Sequence, residues 1–449
     1  MIPRLLVAAT VVALVVFLTR LDSLRPGRDD AFEAPPDLSA IDLTSLDRSR
    51  LSDAAPVGEA IRKFEERVEA NPSSYIDYTI LGQLYMRQSR ENGDIAALLR
   101  AEAALKRALD INPAYTAARA SLAAALHNQH RFEEAKAMAQ SIAEGTSVSV
   151  QAVATLADAR FALGDYDQAT AGFIRLTSIA PGPASQIRLA QLEHLRGNID
   201  EALRLTRSAA AAEYASGATP EGMAWYLARI GDLYFGVGEL QNAARHYQAA
   251  LKLFDRHYPS LAGLARVRAA EGKLGEAIEL YKRAVEVVPL PAMLAELGDA
   301  YAAAGDDDEA VTQYQTVELI ATIARLNQAV FNRELVIFYA DHNIRVDMAL
   351  RLAESEIGVR SDVYGYDALA WALYRNGRYD EANSAMQKAL EHGTRDASLH
   401  FHAALIRKAL GDLDGERTHL AAVVRTNPRF SLLHAPRVQA ELASLSAAR

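Results

Sequence analysis

Apolar residues along this chain fall into two regimes. Over residues 5–18 they form an uncharged run, LLVAATVVALVVFL. From about residue 57 onward they recur at three- and four-residue spacing, which gives a helix one apolar face. Short polar turns separate these amphipathic stretches. Residues 22–56 follow neither rule and hold Pro26, Gly27, Pro35, Pro36 and Pro56 among scattered Asp and Ser. The pattern predicts an apolar helix within 1–21, a disordered tether over 22–56 and an all-α body over 57–428. A closing helix follows within 429–449.

The body repeats. A short phrase made of a turn residue, two variable positions, an acid or amide and then alanine begins at His130, Gly164, Gly197, Gly238, Gly272, Gly305, Ile344, Gly377 and Gly411. Most of its steps are 33 or 34 residues, and long steps mark insertions near residues 213–222 and 323–328. Seven residues before every turn but that at Ile344 stands a small side chain (Ala123, Ala157, Ala190, Gly231, Ala265, Gly298, Ala370, Ala404), and five after every turn but that at Gly411 stands alanine. Nine after it is often a large residue, as at Phe173, Tyr247, Tyr281 and Tyr314. Such a period predicts stacked helix pairs. Glycine ends the first helix in the left-handed conformation. Asp167, Asp200 and Asp380 favour the amino end of the second. The small residues let backbones approach, and the large one fills the gap to the next unit. Proline at 113, 181, 289 and 428 stops the second helix.

These features resemble the tetratricopeptide repeat, a 34-residue helix–turn–helix family. The resemblance spans residues 75–428, about ten units, with Val57–Ala70 capping the front and residues 436–445 the back. It implies a right-handed α-solenoid whose concave groove, lined by the first helix of each unit, binds protein or peptide ligands. Register places Gln83, Arg87, His127, Asn128, Asp158 and Phe161 on the groove near the front. Trp225, Asp232, Phe235, Arg266 and Asp299 follow in the middle, then Tyr364, Asp367, Trp371, Tyr374, Arg375, Phe401 and Lys408. Both tryptophans fall on this surface, and exposed aromatics beside arginine are common anchors. Trp225 borders an insertion, and packing against it is the other reading there. The lysine–asparagine pair with which some relatives clamp a terminal carboxylate is absent. Its positions hold Thr79/Gln83, Ala120/Ala124, Ala154/Asp158 and Ala262/Arg266.

Charge and composition narrow the function. Forty-eight basic against fifty-seven acidic residues give −9. This argues against nucleic acid as a partner, which calls for a basic surface. No cysteine is present, so thiolate metal sites and cysteine nucleophiles are excluded. Gly272–Lys273 lacks the rest of a phosphate loop, and neither HExxH nor GxSxG occurs. His400 and His402 point to different faces of a helix and read as solvated. Asp306–Asp308 reads as a solvated helix start rather than a calcium loop. The sequence therefore implies no cofactor, no metal and no catalysis.

The apolar run bears on location. Fourteen residues make about 21 Å of helix, short of a ~30 Å bilayer core. Such a run fits a cleaved signal peptide or, lengthened by Ile2 and Leu21 with Arg4 and Arg20 snorkelling, a membrane anchor over 2–21. No convincing small-x-small cleavage site follows, which favours the anchor. Arg20, Arg25 and Arg28 behind the run would hold the body in the cytoplasm, whereas the resemblance to a bacterial signal-anchor places it outside. The expectation is a single-pass, membrane-tethered scaffold for an envelope, secretion or surface complex, more extracytoplasmic than cytoplasmic. The alternative is a cytoplasm-facing adaptor, or a noncatalytic subunit of a membrane enzyme or transporter.

Overall fold

Twenty-two α-helices follow one another, with no strand among the described residues. The computed structural model describes residues 41–52, 56–145, 149–326 and 332–447. The apolar run and the first part of the expected tether lie outside them. Residues 41–449 make one body.

Helix α1 (Val57–Ala70) precedes ten antiparallel pairs. The first five are α2 (Tyr75–Asn92) with α3 (Ile95–Ile111), α4 (Thr116–Asn128) with α5 (Phe132–Ala143), α6 (Val150–Ala162) with α7 (Tyr166–Ile179), α8 (Pro183–Leu195) with α9 (Ile199–Ala215), and α10 (Pro220–Gly236) with α11 (Leu240–Leu253). The next five are α12 (Tyr258–Ala270) with α13 (Leu274–Val287), α14 (Pro291–Ala304) with α15 (Asp307–Leu326), α16 (Asn332–Asp341) with α17 (Val346–Val359), α18 (Val363–Arg375) with α19 (Tyr379–Leu390), and α20 (Ala397–Ala409) with α21 (Leu413–Thr426). Helix α22 (Ala435–Ala447) closes the row. The insertion near residues 213–222 lengthens α9 and α10, and α15 runs on into the second as far as Leu326.

The repeated small residues sit where two backbones meet. Ala123, Ala265, Ala370 and Ala404, and their counterparts Ala135, Ala277 and Ala382 across the turn, are fully buried. Tyr247 shows how tight the fit is: a Cβ on Gly231 would stand 2.6 Å from its ring, and one on Gly263 2.4 Å. The turn glycines Gly164, Gly197, Gly238, Gly272, Gly305, Gly377 and Gly411 have φ between 74° and 84°. In the second unit His130 takes that conformation, and in the eighth it moves to Asn343, one place before Ile344.

Units six apart in sequence touch, so the solenoid completes a superhelical turn and stacks on itself. Ser361 Oγ donates to the Leu163 carbonyl (2.9 Å), the Val363 N–H to Tyr166 Oη (2.9 Å), Thr394 Oγ1 to the Leu195 carbonyl (2.6 Å) and Asn427 Nδ2 to the Phe235 carbonyl (2.7 Å). These partners lie 192 to 199 residues apart. In each case a turn inside a unit of the first coil meets a loop between units of the second. Gly164 makes the closest approach, since a Cβ there would lie 2.4 Å from the Ser361 carbonyl oxygen.

The end of the expected tether is docked, which corrects the reading of residues 22–56 as wholly disordered. Leu43 and Leu51 are buried. The Asp47 N–H donates to Tyr214 Oη (3.0 Å), the Ser52 N–H donates to the Ala218 carbonyl (3.1 Å), and Arg50 lies over the Tyr214 ring. The long α9 carries Tyr214 outward to receive this segment, a partner some 167 residues away that local composition does not reveal.

Candidate functional site

Two chambers open on the inner surface, where the first helices of successive units stand side by side. The first is about 1000 Å³ and is bounded by Gln83, Arg87, His127, Asn128, Asp158, Phe161, Arg188, Trp225, Arg333, Arg360 and Tyr364 among others. Every front groove position expected from register reaches it. Trp225 and Tyr364 join them from the fifth and ninth units, because stacking of the coils brings those units alongside. Trp225 is half-buried, its indole edge-on to Tyr226 at 5.0 Å. Its cationic walls are matched by acids: Arg87 pairs with Glu91 (2.6 Å), Arg90 with Glu221 (3.1 Å), Arg188 with Asp158 (2.7 Å), Arg333 with Asp362 (2.6 Å) and Arg360 with Glu356 (2.8 Å). The chamber offers aromatic faces and charges that are already paired.

The second chamber, about 610 Å³, has Phe235, Arg266 and Asp299 in its wall with Glu296, Glu334, Phe338, Asp341 and His342. Burial pushes the carboxyls of Glu296 and Glu334 up from the usual carboxylate range, against the pull of Arg266 on Glu296 and Arg333 on Glu334. The two ring nitrogens of His342 face oxygen acceptors, Nδ1 the Phe338 carbonyl (2.8 Å) and Nε2 the Asp299 carboxylate (2.8 Å). A neutral imidazole has a single N–H, so only the protonated ring can donate to both oxygens. Burial alone would lower its pKa; Asp299 reverses the sign and raises it.

One design recurs between neighbouring first helices: an aspartate accepts from a donor on the next unit. Asp158 receives Arg188, Asp299 receives His342, Asp341 receives Trp371 Nε1 (2.8 Å) and Asp367 receives His402 Nδ1 (2.8 Å). Asp232 sits within 3.5 Å of Arg266 and accepts from Tyr247 Oη (2.7 Å). This ladder fixes the rotation of each unit on the last, and with it the curvature that makes the chambers.

Of the C-terminal groove set Tyr364 opens on the first chamber and Lys408 is exposed, but Asp367, Trp371 and Phe401 are buried, which corrects their reading as a free binding surface. Trp371 and Phe401 are fully buried. Trp371 is sandwiched between Tyr374 (4.9 Å) and His402 (4.3 Å), with Arg375 over its ring. Lys408 is bonded to Glu441 of α22. His402 is buried rather than solvated, because Asp367 pairs with it from the preceding unit. His400 instead places Nδ1 3.1 Å from that of His419. Among the described residues no group of three His, Cys, Asp or Glu is set to hold a metal ion.

Comparison with known proteins agrees with the repeat. Tetratricopeptide repeat family models match residues 228–290, 263–323 and 363–394. No curated protein matches the sequence. Among solved structures the chain is similar to yeast Tom70, at 12% identity and a TM-score of 0.38 over 87% of this chain and 92% of that one.

Proposed function

We propose that this protein is a membrane-tethered scaffold that holds segments of partner proteins in the inner surface of its coiled repeats, in the assembly of an envelope, secretion or surface complex. The observation that carries the reading is the convergence of Arg87, Trp225 and Tyr364, from units one, five and nine, on one open chamber. Convergence from three distant units lets a single extended ligand touch many repeats at once, each contact weak and the sum selective. The tether rests on the uncharged run of residues 5–18, which lies outside the described residues. No helix among the described residues is long and apolar enough to cross a membrane.

The test is a photo-crosslinking residue placed at Trp225 or Tyr364 in the full-length protein in cells, against the exposed Ile174 of α7 as control. Adducts from the chamber and not from Ile174 are expected; equal labelling from both would overturn groove binding. A C-terminal reporter active only outside the cytoplasm reads the topology in the same strain. An inactive reporter would favour the second reading, a cytoplasm-facing adaptor or noncatalytic subunit, which Arg20, Arg25 and Arg28 behind the run support.

A further inference from the structure

The groove at the C-terminal end is occupied by the chain itself. Between α21 and α22, residues 427–434 leave the helical row and cross the inner face of the second coil. Phe430 lies against Phe401 (5.7 Å), and His434 stacks on the same ring (4.8 Å) and donates Nε2–H to Asp341 (2.9 Å). Leu432 packs into the cluster of Leu261, Ala265, Met293 and Leu297. Phe401 and Trp371 occupy groove positions of their repeats, so this strap lies where the resemblance puts a ligand.

Its attachment is that of a ligand rather than of an element of the fold. Among the described residues the backbone hydrogen bonds of the strap are local: Arg429 N–H to Asn427 Oδ1, His434 N–H to Ser431 Oγ, Ala435 N–H to the Ser431 carbonyl. The hold on the solenoid comes from side chains. Pro428, Arg429 and Leu433 are exposed. The two ends are secured independently. Asn427 bonds the Phe235 carbonyl, and α22 buries Val438 and Leu445 among Leu405, Leu420 and Val423. Beside the strap the second chamber stays open.

We propose that this inner face of the second coil is a docking site for a short, turn-forming peptide of a partner protein, bearing an aromatic and an aliphatic anchor two residues apart and a side-chain hydrogen-bond donor two residues further on. The strap, with Phe430, Leu432 and His434, is the resident occupant that such a partner displaces. The inference rests on the scaffold reading above and deepens it.

The test uses a fluorescent synthetic peptide with the sequence of residues 426–436, TNPRFSLLHAP. It is titrated into the full-length protein and into a Phe430→Ser, Leu432→Ser variant whose strap is released. The variant is expected to bind at least tenfold more tightly than wild type, and a peptide carrying the same two serines should not bind. Emission of Trp371 should shift to the red in the variant and return on peptide binding. A variant of unchanged helicity that binds no better than wild type, or that binds both peptides equally, would overturn the proposal. Should the variant lose helicity, hydrogen exchange of the wild type decides. Strap amides are expected to exchange at least a hundredfold faster than those of α20 and α21, and equal protection would overturn it. Crosslinks from Trp225 and Tyr364 read the first chamber, so failure of the strap and failure of the scaffold reading are separable.

Discussion

Stacking of the two coils should be measurable at a single glycine. Gly164 and Gly272 occupy the same place in their units, with φ of 82° and 76°. Alanine at either therefore carries the same left-handed penalty, about 1 kcal/mol. They differ in what a methyl group meets. At Gly272 nothing stands within 4 Å, whereas at Gly164 the Ser361 carbonyl oxygen stands at 2.4 Å. Accommodating Gly164→Ala means separating the coils there by about 1 Å to reach ordinary contact. The bonds from Ser361 Oγ and from the Val363 N–H, both 2.9 Å, then stretch together. At about 1 kcal/mol each, they bring the expected cost of Gly164→Ala to about 3 kcal/mol against about 1 for Gly272→Ala. Urea unfolding followed by far-ultraviolet circular dichroism reads the difference, and small-angle scattering reads any opening of the coil. Gly411→Ala, also left-handed and unobstructed, serves as a second control. Equal midpoints for all three variants, with no expansion at Gly164→Ala, would refute the claim that contact between coils stabilises the protein.

The remaining expectations concern particular side chains. Trp371→Ala should cost about 3–5 kcal/mol as a core truncation, while Trp225→Ala should change stability by no more than about 1 kcal/mol and lose chamber crosslinks; urea midpoints and adduct yields separate the two. Burial pushes the imidazole of His257 down to about 4 from 6.5, so its stabilisation is complete above pH 6.5 and declines as pH falls toward 4. By linkage this loses about 1.3 kcal/mol between pH 7.5 and 5.5, and His257→Asn should flatten the acid side of a midpoint-against-pH curve by that amount. His342 has the opposite sign: its raised pKa makes the Asp299 pair fully stabilising below 6.5 and lost as pH rises through the folded value. Asp299→Asn should therefore flatten the alkaline side of the same curve. Tyr214→Phe removes both bonds to the Asp47 backbone and should cost about 1 kcal/mol locally, read as faster proteolysis within residues 41–52.

Much of this architecture is legible in the sequence because it is local and periodic. Ala123, Ala265 and Ala404 announce helix contacts, and Gly164 and Gly272 announce turns, since each rule operates within one unit. Gln83, Arg87, Asp158 and Phe161, which the same register gathers on one face, line one chamber. What register cannot supply is the sum of many small rotations. That Tyr364 faces the same space as Arg87 depends on how far nine units turn. Asp341 is fixed by partners on two other elements, Trp371 and His434. The burial of Phe401 escapes for a related reason. Pro428 reads as a stop and residues 429–449 as the closing helix, and nothing in that pattern says that Phe430 and Leu432 turn inward before a helix that starts only at Ala435. His402 looks solvated until Asp367, 35 residues earlier, is placed beside it.

Contacts between units six apart also bear on how the chain is made. A row of repeats can fold as each unit emerges, because every unit needs only its neighbour. Leu163 and Tyr166, however, wait for Ser361 and Val363, nearly two hundred residues later. At about 5–20 residues per second this is an interval of roughly 10–40 s. Throughout it the first coil presents the unmatched Leu163 and Leu195 carbonyls, along with the edge of Tyr166. Nascent chains should therefore pass through a long-lived, half-built state whose coil edge is open to chaperones and to wrong pairing with another copy. The closing bonds form only when the last fifth of the protein arrives to cover it.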